Sequence, residues 1–471
     1  QLARRSRGSD IVLLDSLHRL EDSIGAPMSQ LPDRIKAALL CLGGWDGRCY
    51  GDRQVVEWLC GDSYDQISAQ ILADASDPSG MLFTADEKFR LLAPERAWRR
   101  FSHLVTGQLV DNYRDLIELA LTDDDPIAEL SGTDRWMAQF RGEKQEFSDS
   151  LRRYTLDSLA LAASLPHSLN RSDIDSEFFD GVVRSVLDQA SIRRWISLGR
   201  QLPMLAEVSP TAVLEAIESG LQLDGTFRRL FAGGECDSFS GAPHAGVLWA
   251  LERMAWSPLL LSRVCSILVR LDGISGDLKV TNTPGNSFTE TLSVYLPQTA
   301  ADTNDRRQTI QQLLQNGPAN TWGLVLSLLP NSKRFRMVRS KPLWRDWAQG
   351  WSRHRQTCNL REEIVWLVDQ IVGHVGDSCD RCIQVLNLYD KIPSNTYVKF
   401  VDAMRSRVAD IGWSEDECRR LWETINLITV RLDFLTRELA EEDESCVVAN
   451  SPGNPQPKPN VRAHARYARL R

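Results

Sequence analysis

The densest run of side chains able to do chemistry lies between Lys333 and Trp351. Lys333, Arg334, Arg336, Arg339, Lys341 and Arg345 fall within thirteen residues that contain no acid, with Phe335 among them. Trp344, Trp347 and Trp351 follow at i, i+3 and i+7, a spacing that predicts one face of one helix. Cationic groups beside aromatic faces suit phosphates, single-stranded nucleic acid or an acidic peptide. The same residues also suit a solvated connector followed by a tryptophan stripe buried against the next helix. These nine side chains are the expected binding residues, with that structural alternative beside them.

Other reactive groups are sparser. Cys379-Asp-Arg-Cys382 is a C-x-x-C pair, with His374 just upstream and His354 and Cys358 earlier still. A zinc site needs four such ligands in a tetrahedron. No second C-x-x-C pair exists, and the segment after Cys382 continues as an amphipathic helix, so no metal is expected. Cys236, in the glycine-rich stretch 233–241, precedes His244 and suggests a Cys/His nucleophile, but a connection between helices explains the glycines better. Asp123, Asp124 and Asp125 are expected to cap a helix that starts at Asp125-Pro126. The phosphate loop, the dinucleotide fingerprint, the nucleophile elbow, H-E-x-x-H and the kinase signatures are all missing. No catalytic residue and no cofactor is predicted. A divergent enzyme, its site scattered over several helices, is the third-ranked reading.

The elements that must position these groups read as helices. In the segment 247–254, Val247, Ala250, Leu251 and Met254 follow the i, i+3, i+4, i+7 rule. Ser257-Pro258 predicts the next start, with Leu261, Val264, Cys265, Leu268 and Leu271 on one face. Ser209-Pro210 predicts another, burying Val213, Leu214, Ile217 and Leu221. Ser287 and Glu290 read as a capping box, as do Ser414 and Glu417. After the latter, Leu421, Ile425, Ile428, Leu432, Leu435 and Leu439 step by fours and threes, a coiled-coil seam that either caps the preceding helices or self-associates. The only β-like stretch is 279–283, inside a loop.

The predicted class is all-α: an irregular α-solenoid or tandem helical bundles, with a long C-terminal helix and a disordered tail. The expected parts are an N-terminal segment 1–30, helical-repeat regions 31–232 and 233–412, the helix 413–444 and a basic tail 445–471. With 471 residues the chain exceeds one compact core. Net charge −8 argues against a general polyanion binder. No apolar run is long enough to span a bilayer, so no membrane is expected. Ten cysteines in so long a chain are not a disulfide framework, which points to the cytoplasm. The sequence opens on Gln1 rather than Met, as a piece of a longer protein would.

Three stretches carry a family resemblance: 244–258 (HAGVLWALERMAWSP), 295–299 (YLPQT) and 322–330 (WGLVLSLLP). They resemble helical regions of large bacterial STAND-type antiviral NTPases, in which an effector and a nucleotide-binding core precede a helical-repeat sensor. The segment 56–130, with Trp98 and Asp125-Pro126, is similar to the same region, so the resemblance spans roughly positions 50–350. The family's Walker motifs have no counterpart here, and no nucleotide-binding residue carries over. The resemblance implies a sensor module that binds a foreign protein along a concave surface. The leading expectation is a non-catalytic recognition module for a protein partner. A nucleic-acid- or nucleotide-responsive module using 333–345 is the alternative, and Leu421–Leu439 is the candidate surface for self-association.

Overall fold

Apolar side chains that return every three to four residues make helices over most of the chain. A computed structural model describes residues 29–130, 132–165, 174–222, 225–231, 242–276, 280–329, 340–351, 360–389, 397–398, 401 and 412–431. The protein is predominantly α-helical, consistent with helical bundles, and carries one small three-stranded sheet. It divides into two compact units, the first holding 1–291, 298–305 and 338–350 and the second the remainder.

In the first unit, α1 (Asp33–Leu42) is buried along nearly its whole length and stops at Gly43, whose φ is +65°. β1 (Gly44–Asp46) leads to α2 (Tyr50–Cys60) and to α3 (Tyr64–Ser76), which a Ser63/Gln66 capping box opens. β2 (Leu82–Ala85) and β3 (Lys88–Leu91) form a hairpin, and the antiparallel order is β1-β3-β2. Trp45 of β1 stacks on Phe89 of β3 at 4.7 Å. Asp86 and Glu87 both have positive φ, as a two-residue hairpin turn requires. This sheet lies away from 279–283, the one β-like stretch expected. Its strands run three or four residues and its turn lacks glycine, so neither alternation nor turn chemistry announces it.

Helices α4 (Pro94–Phe101), α5 (Gly107–Thr122), α6 (Gly132–Phe140) and α7 (Asp149–Ser164) follow. α7 is the hub, packing on α1, α4, α5 and β1. The hydroxyl of its N-cap, Ser148, accepts from the Leu151 amide. Asp52, fully buried, accepts from the Ser148 amide at 2.9 Å and the Asp46 amide at 2.8 Å, which ties α2, β1 and the start of α7 together. Deeper along α7, Thr155 donates to the Leu42 carbonyl at 2.9 Å, and Ser158 accepts from the Trp98 indole at 2.7 Å. Gly43 and Gly44 admit this approach. A Cβ on Gly43 would lie 2.2 Å from the Tyr154 carbonyl oxygen, and one on Gly44 would lie 2.5 Å from that of Phe89.

α8 (Ser176–Leu187), α9 (Ile192–Ser197), α10 (Leu202–Val208), α11 (Pro210–Gln222), α12 (Thr226–Leu230), α13 (Ala245–Met254), α14 (Leu261–Ile274) and α15 (Pro284–Thr291) follow among the described residues of this unit. α10 packs between α7 and α13. Ser209 caps α11 as expected, accepting from Ala212 at 3.1 Å, and Val213, Leu214 and Ile217 are buried. Three other starts differ from expectation. Ser257-Pro258 forms a turn, and α14 begins three residues later. α15 begins at Pro284, with Thr283 accepting from the Asn286 amide, so Ser287 lies inside it and donates to Glu252 at 2.7 Å. No helix starts at Asp125-Pro126. Asp123 accepts from the Phe147 amide and Asp124 pairs with Arg194, so these two acids brace neighbouring segments, while the Asp125 carboxylate accepts the Ile127 amide in a local turn.

α16 (Thr303–Asn316) runs into the second unit, which also contains α17 (Thr321–Ser327), α18 (Leu360–Gly373), α19 (Cys379–Leu386) and α20 (415–431). Arg307 pairs with Glu363 at 2.7 Å and lies over Trp366, joining α16 to α18. Trp322 donates to Gln384 at 2.6 Å and receives the Arg381 guanidinium on its ring, joining α17 to α19. The Ser414/Glu417 capping box forms as expected. Of the described part of the seam, Leu421 and Ile428 are buried while Ile425 is half exposed, and 432–439 lies outside the described residues. Among the described residues no helix is long and apolar enough to cross a membrane.

Candidate functional site

Lys333, Arg334, Arg336 and Arg339 lie outside the described residues. Lys341, Trp344, Arg345 and Trp347 belong to the first unit and Trp351 to the second, where its indole donates to the Pro297 carbonyl at 3.2 Å. The helix expected to carry the three tryptophans is absent. Arg345 and Gln349 are extended on either side of a three-residue 3-10 turn, Asp346–Ala348, and Gly350 has a φ of +74°.

Glu207 is the reason. Its carboxylate is wholly buried at the end of α10 and accepts the amides of Leu343 at 2.8 Å, Trp344 at 2.7 Å and Arg345 at 3.1 Å. Arg253 of α13 donates to the same carboxylate at 2.8 Å. Amides committed to a carboxylate cannot turn back onto carbonyls four residues earlier, so the segment 340–350 lies across α10 as a strap. Arg345 closes the clamp from its own side, donating to the carbonyls of Glu207 at 2.7 Å and Val208 at 2.9 Å. Burial lowers the Arg345 pKa, and the nearby Glu207, Asp346 and Asp180 charges oppose that shift. Ser340 donates to Glu252 at 2.8 Å, and the Lys341 ammonium sits 5.3 Å from the Trp256 ring, with burial lowering its pKa as well. The described members of the basic run thus hold the strap in place; Arg345 in particular is a structural partner of a buried acid.

The remaining reactive groups also have structural partners. His244 is buried, stacks on Phe231 at 4.8 Å and meets the Asn282 carbonyl at 2.8 Å; burial lowers its pKa. Cys236, His354 and Cys358 lie outside the described residues. Cys379 and Cys382 are both buried on α19, and the Cys379 thiol faces the Glu417 carbonyl. His374, just past the end of α18, contacts the Gln370 carbonyl of that helix.

The surface with the clearest capacity for recognition is α6. Trp136, Met137 and Phe140 are 64%, 41% and 82% exposed, while Ala138 faces inward. The rings of Trp136 and Phe140 stack at 5.8 Å. The helix therefore inverts the usual arrangement and turns its large apolar side chains to solvent. Isolated exposed apolar residues are ordinary, but contiguous ones mark interaction surfaces. Spacing alone missed this stripe, because i, i+1 and i+4 apolar residues are read as a core-facing side.

The chain matches no family model, no curated protein and no solved structure.

Proposed function

We propose that this chain is a non-catalytic helical recognition module for a protein partner, acting in the cytoplasm as the sensor part of a bacterial antiviral defence protein. The exposed aromatic stripe of α6 carries the binding part of this reading. Stacked tryptophan and phenylalanine bring large contact area at small conformational cost, as the anchors of protein interfaces do. A short helix presenting such residues at i, i+1 and i+4 suits an apolar groove on the partner. The sensor assignment rests on the resemblance of 244–258, 295–299 and 322–330 to STAND-type proteins. The cytoplasmic assignment rests on cysteines too sparse along the chain for a disulfide framework, of which Cys60, Cys265 and Cys379 are buried thiols.

The test is photocrosslinking of the full chain in bacteria with and without phage infection. A benzophenone amino acid at position 136 should yield an adduct of defined mass that the same probe at exposed position 65 does not. Phe140→Asp should abolish it. Equal adducts at both positions, or none at 136 under either condition, would exclude α6 as the binding surface.

A further inference from the structure

A second site lies in the first unit, along α7. Two cavities open there. One of about 390 Å³ is lined by Asp149, Arg153, Asp157, Arg200, Gln201 and Arg253 among others. The other, of about 220 Å³, is bounded by Arg90, Arg153, Tyr154, Asp157 and Trp344 among others. They share Arg153 and Asp157, and the strap passes at their margin through Leu343 and Trp344. The larger one has the size of a small-molecule pocket.

Its polar groups are incompletely used. The Oε1 of Gln201, a residue 6% exposed, is buried without a hydrogen-bond partner. The same holds for Nε of Arg253 and for the indole N–H of Trp344. Arg153 approaches Asp157 only to 3.7 Å and keeps most of its guanidinium exposed. Arg200 pairs with Asp149 at 3.5 Å, and Arg253 with Glu207, a carboxylate already shared with three backbone amides. Three guanidinium groups, those of Arg153, Arg200 and Arg253, thus line the larger cavity beside two carboxylates, Asp149 and Asp157, that hold Arg200 and Arg153 only loosely, while Arg90 faces the smaller one. Buried donors left open are how a protein prepares a site for an acceptor.

We propose that the cleft between α7, α10 and α13 binds a small anionic molecule bearing a carboxylate or phosphate, held by Arg153, Arg200 and Arg253, with Gln201 facing a donor on the same ligand. Leu156, Pro203, Met204 and Leu343 form the apolar walls that exclude water from the contact.

Asp157 makes the site pH-sensitive. Burial outweighs its attraction to Arg153 and Arg253, and Glu207 adds repulsion, so its pKa is raised to about 6. Asp149 and Arg200 also line the cavity that Asp157 faces, and Arg90 faces it from β3. An anion beside Asp157 favours the neutral carboxyl further, so binding takes up a proton and strengthens as pH falls through about 6.

Equilibrium dialysis of the full chain with radiolabelled sulfate, whose charge is constant over the range, tests the proposal. Sulfate should bind one site at low salt and tighten several-fold from about pH 7.5 to about pH 5.5. Displacement by succinate but not phosphate would assign a carboxylate ligand, and the converse a phosphate ligand. Arg153 and Arg200 are exposed and support no core contact, so Arg153→Gln with Arg200→Gln should weaken binding about tenfold or more at an unchanged circular dichroism spectrum. Failure of sulfate, succinate and phosphate alike to bind at about millimolar concentration would overturn the proposal. So would sulfate binding unchanged in the double variant. Neither result bears on crosslinking through α6.

Discussion

Replacing Glu207 probes the clamp on which the strap depends. The wild-type carboxylate accepts three backbone amides and the Arg253 guanidinium while wholly buried. Glu207→Ala leaves three amides without their acceptor and Arg253 without its counter-charge. Removing one partner of a buried charge pair costs about 3–5 kcal/mol. Stranded amides add about 1–3 kcal/mol each where water cannot reach them. Leu343 is itself more than half exposed, so part of the strap can lift into solvent and recover hydration. The expected net loss is therefore about 3–5 kcal/mol, the pair cost alone. Glu207→Gln keeps one oxygen acceptor but loses the charge and turns a donor toward amide donors, and it should cost about half as much. Urea unfolding of both variants gives the global figure. Hydrogen exchange resolved to 343–345 gives the local one, with protection of these amides lost in Glu207→Ala before protection in α7 is affected. A loss under about 1 kcal/mol for Glu207→Ala, or unprotected amides at 343–345 in the wild type, would refute the clamp.

Two further outcomes follow from the packing around α7. Gly44→Ala should destabilise by about 1–3 kcal/mol, since the added methyl meets the Phe89 carbonyl and the Tyr154 ring at under 3 Å; an unchanged urea midpoint would contradict that packing. For Asp157, the folded pKa near 6 exceeds the unfolded value near 4, so the native state holds the proton longer and stability falls as pH rises between those two values. Asp157→Asn removes that slope and should raise stability above about pH 6 by about 1–3 kcal/mol, less whatever the Arg153 contact contributes; urea titrations at a series of pH values check the sign.

Helix content was legible in the sequence because it depends on local periodicity and on capping chemistry. Ser209-Pro210 opens α11, and Ser414 and Glu417 form the capping box of α20, as their residue types require. A cap is a contact between residues three positions apart, and no distant element is needed to make it. The strands of 44–46, 82–85 and 88–91 were hidden because each is too short to alternate visibly, and they exist through pairing across more than forty residues between β1 and β3. The segment 344–351 shows the same limit from the other side. Its tryptophan spacing satisfies a helix, yet Glu207, more than a hundred residues earlier, takes the amides of residues 343–345 and keeps the α-helix from starting. The aromatic spacing of α6 likewise says that one face is apolar without saying whether that face is covered. By itself the sequence determined the helical class, the well-capped ends and the absence of known catalytic motifs. Only the tertiary structure decided which charged side chains are buried struts, which aromatic face meets solvent and which three arginines share a cleft, because those outcomes depend on groups brought together from distant parts of the chain.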